Sequence, residues 1–334
     1  MNSKNITIIG TGAYGTALAN VLADNDHQVV MYGIVEKQVD DINIYHKNST
    51  FFPNTNINKN IKATTSMIEA LEKTEILILG VPTSAIKYVV EDIKKFHKRP
   101  MHIINTAKGL DEVNLDILSK SIISSFENSK VMKSYSSLFG PSIASEVVDR
   151  QPTAVMIASD NIQTASYLCD VFRNEYFYTY PSDDVPGCEI FAALKNAIAI
   201  GAGILKGFEA GDNAHGSLLT IGLNEMFLFA EKFGGKIQTA LNFAGMGDLI
   251  LTASSIKSRN FKLGLKIVEV NDAEFALESF PLTVEGVPTV KIAYEIGKKY
   301  EIDMNFFKII YNILYNNTKP ISLLNNVFKN VKLV

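Results

Sequence analysis

The hydrophobic pattern of this chain changes character near its middle. In the first half, short β-branched and apolar runs alternate with helix-length amphipathic stretches. Residues 6–9, 28–32, 61–65, 75–80, 102–105, 136–139, 153–159 and 176–180 read as strands, and 16–23, 36–45, 67–73, 84–96 and 115–126 as helices. The run Ile76-Leu77-Ile78-Leu79 is apolar without alternation, as suits a parallel strand covered on both faces. The helical pattern of 36–45 breaks at Asn48-Ser49 and Pro53-Asn54. Such alternation predicts a doubly wound α/β domain with right-handed crossovers. From Ser182 onward the strand-like runs vanish, and helical patterns cover 184–208, 213–233, 247–253, 259–268, 284–299 and 306–315. Pro181 and Pro186 bracket the change. The expected organisation is a doubly wound sheet domain over 1–182 followed by an all-α domain over 183–334.

The first strand runs into Gly10-Thr11-Gly12-Ala13-Tyr14-Gly15, a G-x-G-x-x-G that opens the first helix. The pattern alone is unspecific, but its place between strand and helix favours a nucleotide site over a merely structural turn. Gly10 permits the tight turn, Gly12 lets backbone approach a pyrophosphate, and Gly15 allows close helix–strand packing. Free N–H groups at the helix start then face the phosphates. The first domain is therefore expected to be Rossmann-like.

Ligands of such sheets bind beyond the carboxyl ends of the strands, which puts weight on three loops. These are Gly80-Val81-Pro82, the stretch 105–110 with Lys108, and Phe139-Gly140-Pro141-Ser142. Lys108 suits an anionic ligand and equally suits a solvated loop. Lys195 is the only charge on a helical face made with Cys188, Phe191, Ala192, Ala199 and Ala202, and Gly201, Gly203 and Gly207 imply close packing of that helix. Such a lysine snorkels, pairs, or sits at a site; burial would lower its pKa and make it a proton donor near neutral pH. Asp248 opens a helix with Thr252 one turn on, and also reads as a first-turn carboxylate that complements the helix dipole. Ser258-Arg259-Asn260 offers a cap, a guanidinium and an amide, which is a phosphate clamp or simply a capped helix with a surface arginine.

Composition narrows the field. The 334 residues suffice for two cores, and 47% hydrophobic with 20% charged residues is ordinary for a globular protein. A net charge of −3 offers no electrostatic case for nucleic acid or an anionic membrane. The basic run Lys94, Lys95, Lys98, Arg99 ends an amphipathic helix, where cations complement the dipole. Cys169 and Cys188 are isolated and read as small buried hydrophobes of a reducing compartment. His27, His46, His97, His102 and His215 show no ligand spacing, so no metal is expected. Met1 leads almost directly into a strand, and the apolar stretch 198–205 is glycine-broken and short for a bilayer. A cytoplasmic protein without membrane insertion is the expectation.

Taken in order, the segments resemble the bacterial-type NAD(P)-dependent glycerol-3-phosphate dehydrogenase family over nearly the whole chain. They are I-I-G-T-G-A-Y-G-T-A-L-A at 8–19, L-G-V-P-T at 79–83, K-G-L at 108–110, G-P-S at 140–142 and A-L-K-N-A-I-A-I-G-A-G-I at 193–204. G-D-N-A at 211–214, G-M-G-D-L-I-L-T at 245–252, S-R-N at 258–260 and V-E-G at 284–286 complete the set. The resemblance implies interconversion of dihydroxyacetone phosphate and sn-glycerol 3-phosphate, a homodimer, and supply of phospholipid synthesis. It makes Lys195 the proton donor and a substrate contact, together with Lys108, Gly140, Ser142, Asp248, Ser258, Arg259 and Asn260. It assigns the dinucleotide to Gly10, Gly12, Ala13, Tyr14, Gly15, Ile34, Lys108, Ala144, Arg259, Thr283 and Glu285.

Departures from the family pattern are Ile34, where His or Arg is common, His215-Gly216 in place of Lys-Ala, and Thr283 in place of an aliphatic residue. Ile34 cannot hold a 2′-phosphate as a cation would, and Glu36 lies where an acid favours the free ribose hydroxyl, which tilts the expectation toward NAD over NADP. The competing readings are a two-domain dehydrogenase of another hydroxy acid or phosphorylated alcohol, and a non-catalytic nucleotide sensor.

Overall fold

The structure, a computed structural model, describes residues 2–329, 331 and 333. The chain divides into two compact units, one of Met1–Ala107 with Ser119–Val185 and one of Lys108–Leu118 with Pro186–Val334. Lys108–Leu118, expected within the sheet domain, thus goes with the helices. The reason is local: Leu110–Asp111 and Asp116–Ile117 pair as an antiparallel hairpin, and Leu110 and Ile117 are buried in the helical core.

The first unit holds one eight-stranded sheet built of β1 (Asn5–Ile9), β2 (Gln28–Tyr32), β3 (Lys62–Thr64), β4 (Ile76–Leu79), β5 (Met101–Asn105), β6 (Met132–Phe139), β7 (Thr153–Ala158) and β8 (Phe177–Ser182). The order is β8-β7-β6-β5-β4-β1-β2-β3. The strands from β3 through β6 in that order are parallel, whereas β7 runs antiparallel to β6 and parallel to β8. The reversal has a visible cause. The link from β6 to β7 carries only the short helix Ala144–Val148, which packs on the helix Ala13–Asp24 instead of crossing the sheet. A helix at Ile162–Phe172, absent from the sequence-based reading, then supplies the crossover to β8; Asn161 caps it by accepting from the N–H groups of Gln163 and Thr164.

The centre of the sheet is apolar on both faces. Ile6, Ile8, Ile9 and all of β4 are buried, each aliphatic side chain contributing about 1.5–3 kcal/mol of burial free energy. Two other expectations are adjusted. The stretch 36–45 is an α-helix over Glu36–Asp40 that widens to a π-helical turn over Asp41–Tyr45 and stops at His46, whose φ is +52°. The helix expected from 115 starts at Leu118, because Leu115 takes φ +50° in the hairpin turn.

In the second unit the helix Val185–Gly207 is central. By length and composition it would cross a bilayer, and it is longer than the apolar stretch 198–205, yet its apolar window is wholly buried inside the protein. Its glycines explain how neighbours approach. A Cβ at Gly203 would lie 2.1 Å from the Phe261 carbonyl oxygen, and one at Gly264 would lie 2.2 Å from that of Ile200. At Gly201 the added atom would meet the Phe306 ring at 2.6 Å. Backbone therefore meets backbone where Val185–Gly207 crosses the helix Arg259–Val270. Gly211–Lys232, Asp248–Ala253, Gly286–Lys299 and Asn305–Tyr315 complete the principal packing of this unit.

Candidate active site

The sheet unit presents a turn made almost wholly of backbone. Gly10 has φ +115°, and a Cβ there would sit 2.5 Å from the Gly80 carbonyl oxygen, so only glycine fits. A Cβ at Gly15 would lie 2.7 Å from the Gly10 oxygen, which shows how closely the helix start approaches the turn. Gly12 differs: a Cβ there has no atom nearer than 4.0 Å. Gly12 is also the N-cap of Ala13–Asp24 and supplies no side-chain cap. An open glycine beside uncapped N–H groups is the cradle a pyrophosphate requires, so these residues fit a dinucleotide. Beyond the end of β6, Ser142 Oγ donates to Tyr14 Oη at 3.0 Å. Gly140 has no space for a side chain, since a Cβ would stand 2.9 Å from Val155 Cα. Ala144 begins the short helix after this loop. Ile34, just beyond β2, is 83% exposed and uncharged.

The helical unit presents the opposite chemistry, a knot of charged side chains from distant segments. Lys108 Nζ donates to Asp248 Oδ2 at 2.9 Å, and Lys195 Nζ donates to Asp248 Oδ1. Lys195 also donates to Thr252 Oγ1 at 2.7 Å, and that hydroxyl in turn donates to the Asp248 carbonyl at 2.7 Å. Lys195 and Asp248 are 4% and 1% exposed, so the charges sit in a medium where they act strongly. Burial pushes the Lys195 ammonium down to about 7, with the Lys108 charge adding to the effect, although Asp248 pulls the other way. Burial would raise the Asp248 carboxyl, but the Lys108 and Lys195 ammonium groups outweigh it and hold the group below the usual carboxylate range. Two cations share one carboxylate, so one ammonium is poised to give up its proton near neutral pH.

A second polar chain adjoins this knot. Asn260 Nδ2 donates to Asn196 Oδ1 at 3.1 Å, and Asn260 Oδ1 accepts from the Gly286 N–H at 2.9 Å. Asn196 follows Lys195 directly, so the Ser258-Arg259-Asn260 segment is tied to the helix that carries the buried lysine. Ser258 caps its helix by accepting from the Phe261 N–H. Arg259 Nη2 lies 3.9 Å from Glu285 Oε1, both side chains about half exposed. Thr283 is exposed just before buried Val284.

Thus Lys108, Lys195 and Asp248 are brought together directly, while Arg259, Asn260 and Glu285 join them through Asn196 and Gly286. Asn196 was not anticipated from sequence. Its one signal was a second polar residue beside Lys195 in a run of alanines and isoleucines. Among the described residues no group of three or more His, Cys, Asp or Glu side chains is arranged to hold a metal.

Comparison with known proteins gives a consistent result. Residues 5–165 match the family model for the NAD-dependent glycerol-3-phosphate dehydrogenase N-terminus, and 184–325 that for its C-terminus. The chain is 72% identical over 334 residues to the glycerol-3-phosphate dehydrogenase [NAD(P)+] of Mesoplasma florum, covering both chains completely. It is 38% identical over 329 residues to the enzyme of that name from Bacillus pumilus, with 98% of this chain and 95% of the other covered. Among solved structures it is similar to the glycerol-3-phosphate dehydrogenase of Coxiella burnetii, with a TM-score of 0.90 and 30% identity over 98% of this chain and 99% of that one.

Proposed function

The chain belongs to the NAD-dependent glycerol-3-phosphate dehydrogenase family, and on that premise we propose that it interconverts sn-glycerol 3-phosphate and dihydroxyacetone phosphate with NAD(P). The observation that carries the reading is the Lys195–Asp248–Lys108 cluster, in which Lys195 and Asp248 are buried. Reducing a ketone requires a hydride at the carbonyl carbon and a proton at its oxygen. The nicotinamide supplies the hydride when bound. Lys195 supplies the proton: with Asp248 and Thr252 taking two of its three N–H groups, the third is the one to reach the substrate oxygen. Asp248 holds that ammonium in place and balances its charge, while Lys108 stabilises the negative charge that develops on the oxygen.

Arg259, with the helix-start N–H groups behind Ser258 and the amide of Asn260, receives the phosphate dianion. Gly140 and Ser142 are assigned as substrate contacts on the resemblance. Gly10, Gly12, Ala13, Tyr14 and Gly15 hold the dinucleotide through backbone N–H groups, and Ile34, Ala144, Lys108, Arg259, Thr283 and Glu285 are its further contacts. NAD is favoured over NADP because exposed Ile34 offers no charge to a 2′-phosphate and Glu36 heads the following helix. A lower KM for NADH than for NADPH is expected, and a clear NADPH preference would overturn this point.

The family also supports a homodimer, a cytoplasmic location and supply of phospholipid synthesis, and the near-neutral charge argues against a nucleic-acid partner. A nucleotide sensor has no use for a buried ammonium that shares its carboxylate with a second lysine, which disfavours that reading. The test is oxidation of NADH in the presence of dihydroxyacetone phosphate. Turnover that disappears in Lys195→Ala supports the proposal; no turnover by the wild type refutes it.

A further inference from the structure

The glycine-rich turn is braced from behind by the loop that follows the helical stretch 36–45. Asn48 is completely buried. Its Nδ2 donates to the Thr11 carbonyl oxygen at 2.8 Å and to Thr16 Oγ1 at 2.8 Å. The Thr11 carbonyl only accepts, which fixes the orientation of the amide. Thr11 is held at its other end as well, where Oγ1 donates to Gln38 Oε1 at 2.6 Å. Its side chain packs so closely on Gly33 that a Cβ there would stand 2.5 Å away. In a planar trans peptide the C=O and the following N–H point in opposite directions. Drawing the Thr11 carbonyl back onto Asn48 therefore turns the Gly12 N–H away from Asn48, and space beside Gly12 is open, since a Cβ there would have no atom nearer than the Gly80 oxygen at 4.0 Å.

The loop is itself anchored, so Asn48 is a fixed post. The Asn48 carbonyl accepts from the N–H groups of Phe51 and Phe52 at 3.0 and 2.8 Å. Phe52 and Ile57 are buried in the core of the sheet unit, and Lys47 bridges to Asn56.

We propose that Asn48 is a positioning residue for the dinucleotide, holding the Thr11–Gly12 peptide in the orientation that offers the Gly12 N–H to the pyrophosphate. The inference rests on the dinucleotide reading of this turn. Without the amide, the Thr11 carbonyl loses its partner and the peptide plane is free to rotate, so each binding event must restore the order that the free protein now holds.

The test is equilibrium binding of NADH, followed by its fluorescence, to wild type, Asn48→Ala and a control in the same segment. Asn43 serves as the control: it exchanges two hydrogen bonds with Ala63, each of 2.8 Å, and these bonds tie it to β3 rather than to the glycine turn. Asn48→Ala is expected to weaken NADH binding about tenfold, the scale of one buried polar group left unpaired. Its kcat at saturating NADH should stay within about twofold, since no reacting group is lost. Asn43→Ala should lower the melting temperature without changing NADH affinity.

Equal affinity in Asn48→Ala and wild type, or equal weakening in both variants, overturns the proposal, because Asn48 would then merely stabilise its loop. Failure of the wild type to bind NADH or NADPH refutes the underlying reading instead. Should Asn48→Ala not fold, amide hydrogen exchange on the wild type decides: NADH is expected to protect 11–16 and 46–52 together, and protection of 11–16 alone contradicts the proposal.

Discussion

The two units build their sites from opposite materials. The sheet unit uses backbone: three glycines, uncapped N–H groups and a buried asparagine behind them, with no charged side chain in the turn. The helical unit uses charge, with two ammonium groups converging on one carboxylate in a place from which water is largely excluded. A site that only has to hold a polyanion works well with fixed dipoles, which need no desolvation of a counter-charge. A site that must pass a proton needs a group whose two protonation states lie close in free energy, and burial of Lys195 arranges this. Damage to the first unit should therefore appear in cofactor affinity, and damage to the second in turnover and its pH dependence.

The largest effect is expected at Lys195. Lys195→Met removes the proposed proton donor and leaves Asp248 paired with Lys108 alone, so kcat should fall by about 10²–10⁴-fold in a steady-state assay while NADH still binds. Next is Arg259→Ala, which should raise KM for dihydroxyacetone phosphate by about 10²-fold, as expected for loss of a charge-assisted phosphate contact. Unchanged KM would move the phosphate clamp elsewhere.

The glycines sharpen the contrast further. Gly10→Ala must force a Cβ into the Gly80 carbonyl at positive φ, and should cost at least about 2–3 kcal/mol in denaturant unfolding. Gly12→Ala has open space and should unfold like wild type, yet bind NADH about tenfold or more weakly, because the methyl occupies the place of the phosphates. Weak binding without loss of stability would separate the two glycines that the motif treats alike.

The smallest expected effect is a stability change at a buried carboxyl outside the charged cluster. Glu225, 5% exposed, accepts from the N–H groups of Phe306 and Phe307, and burial pushes its carboxyl up to about 7. The folded state then holds its proton more tightly than the unfolded chain, so the contribution of Glu225 is full below about 4.5 and is lost as pH rises toward 7. The melting temperature of wild type should drop relative to Glu225→Gln across that window and run parallel to it above.

What the sequence disclosed follows the same division. The strand–turn–helix around Gly10 was legible because everything that makes it lies within a dozen residues. Lys195 stood out because its helical face is otherwise small and apolar, but that face alone is equally compatible with a lysine that snorkels to solvent, and only the folded unit shows it buried. The reversal of β7 was not legible, since it depends on where the short helix Ala144–Val148 packs rather than on any pattern within the strand. Asn48 read as a helix breaker because its partners Thr11 and Thr16 lie more than thirty residues back, across a helix, a strand and a second helix. Asp248 read equally well as a dipole-complementing carboxylate, and only the folded unit shows that both of its oxygens are taken by ammonium groups. Local backbone geometry is written locally; charge pairing across long sequence separations is not.

The most direct test of the account is the pH dependence of kcat/KM for dihydroxyacetone phosphate with NADH, set beside that for glycerol 3-phosphate with NAD. On the proposed assignment Lys195 must be protonated to reduce the ketone and neutral to oxidise the alcohol, and burial holds its ammonium down to about 7. Reduction is predicted to decline and oxidation to rise as pH passes through about 7, with both inflections missing in Lys195→Met. Profiles that are flat through neutrality, or that keep their inflections in the variant, would contradict the assignment of the proton to this lysine.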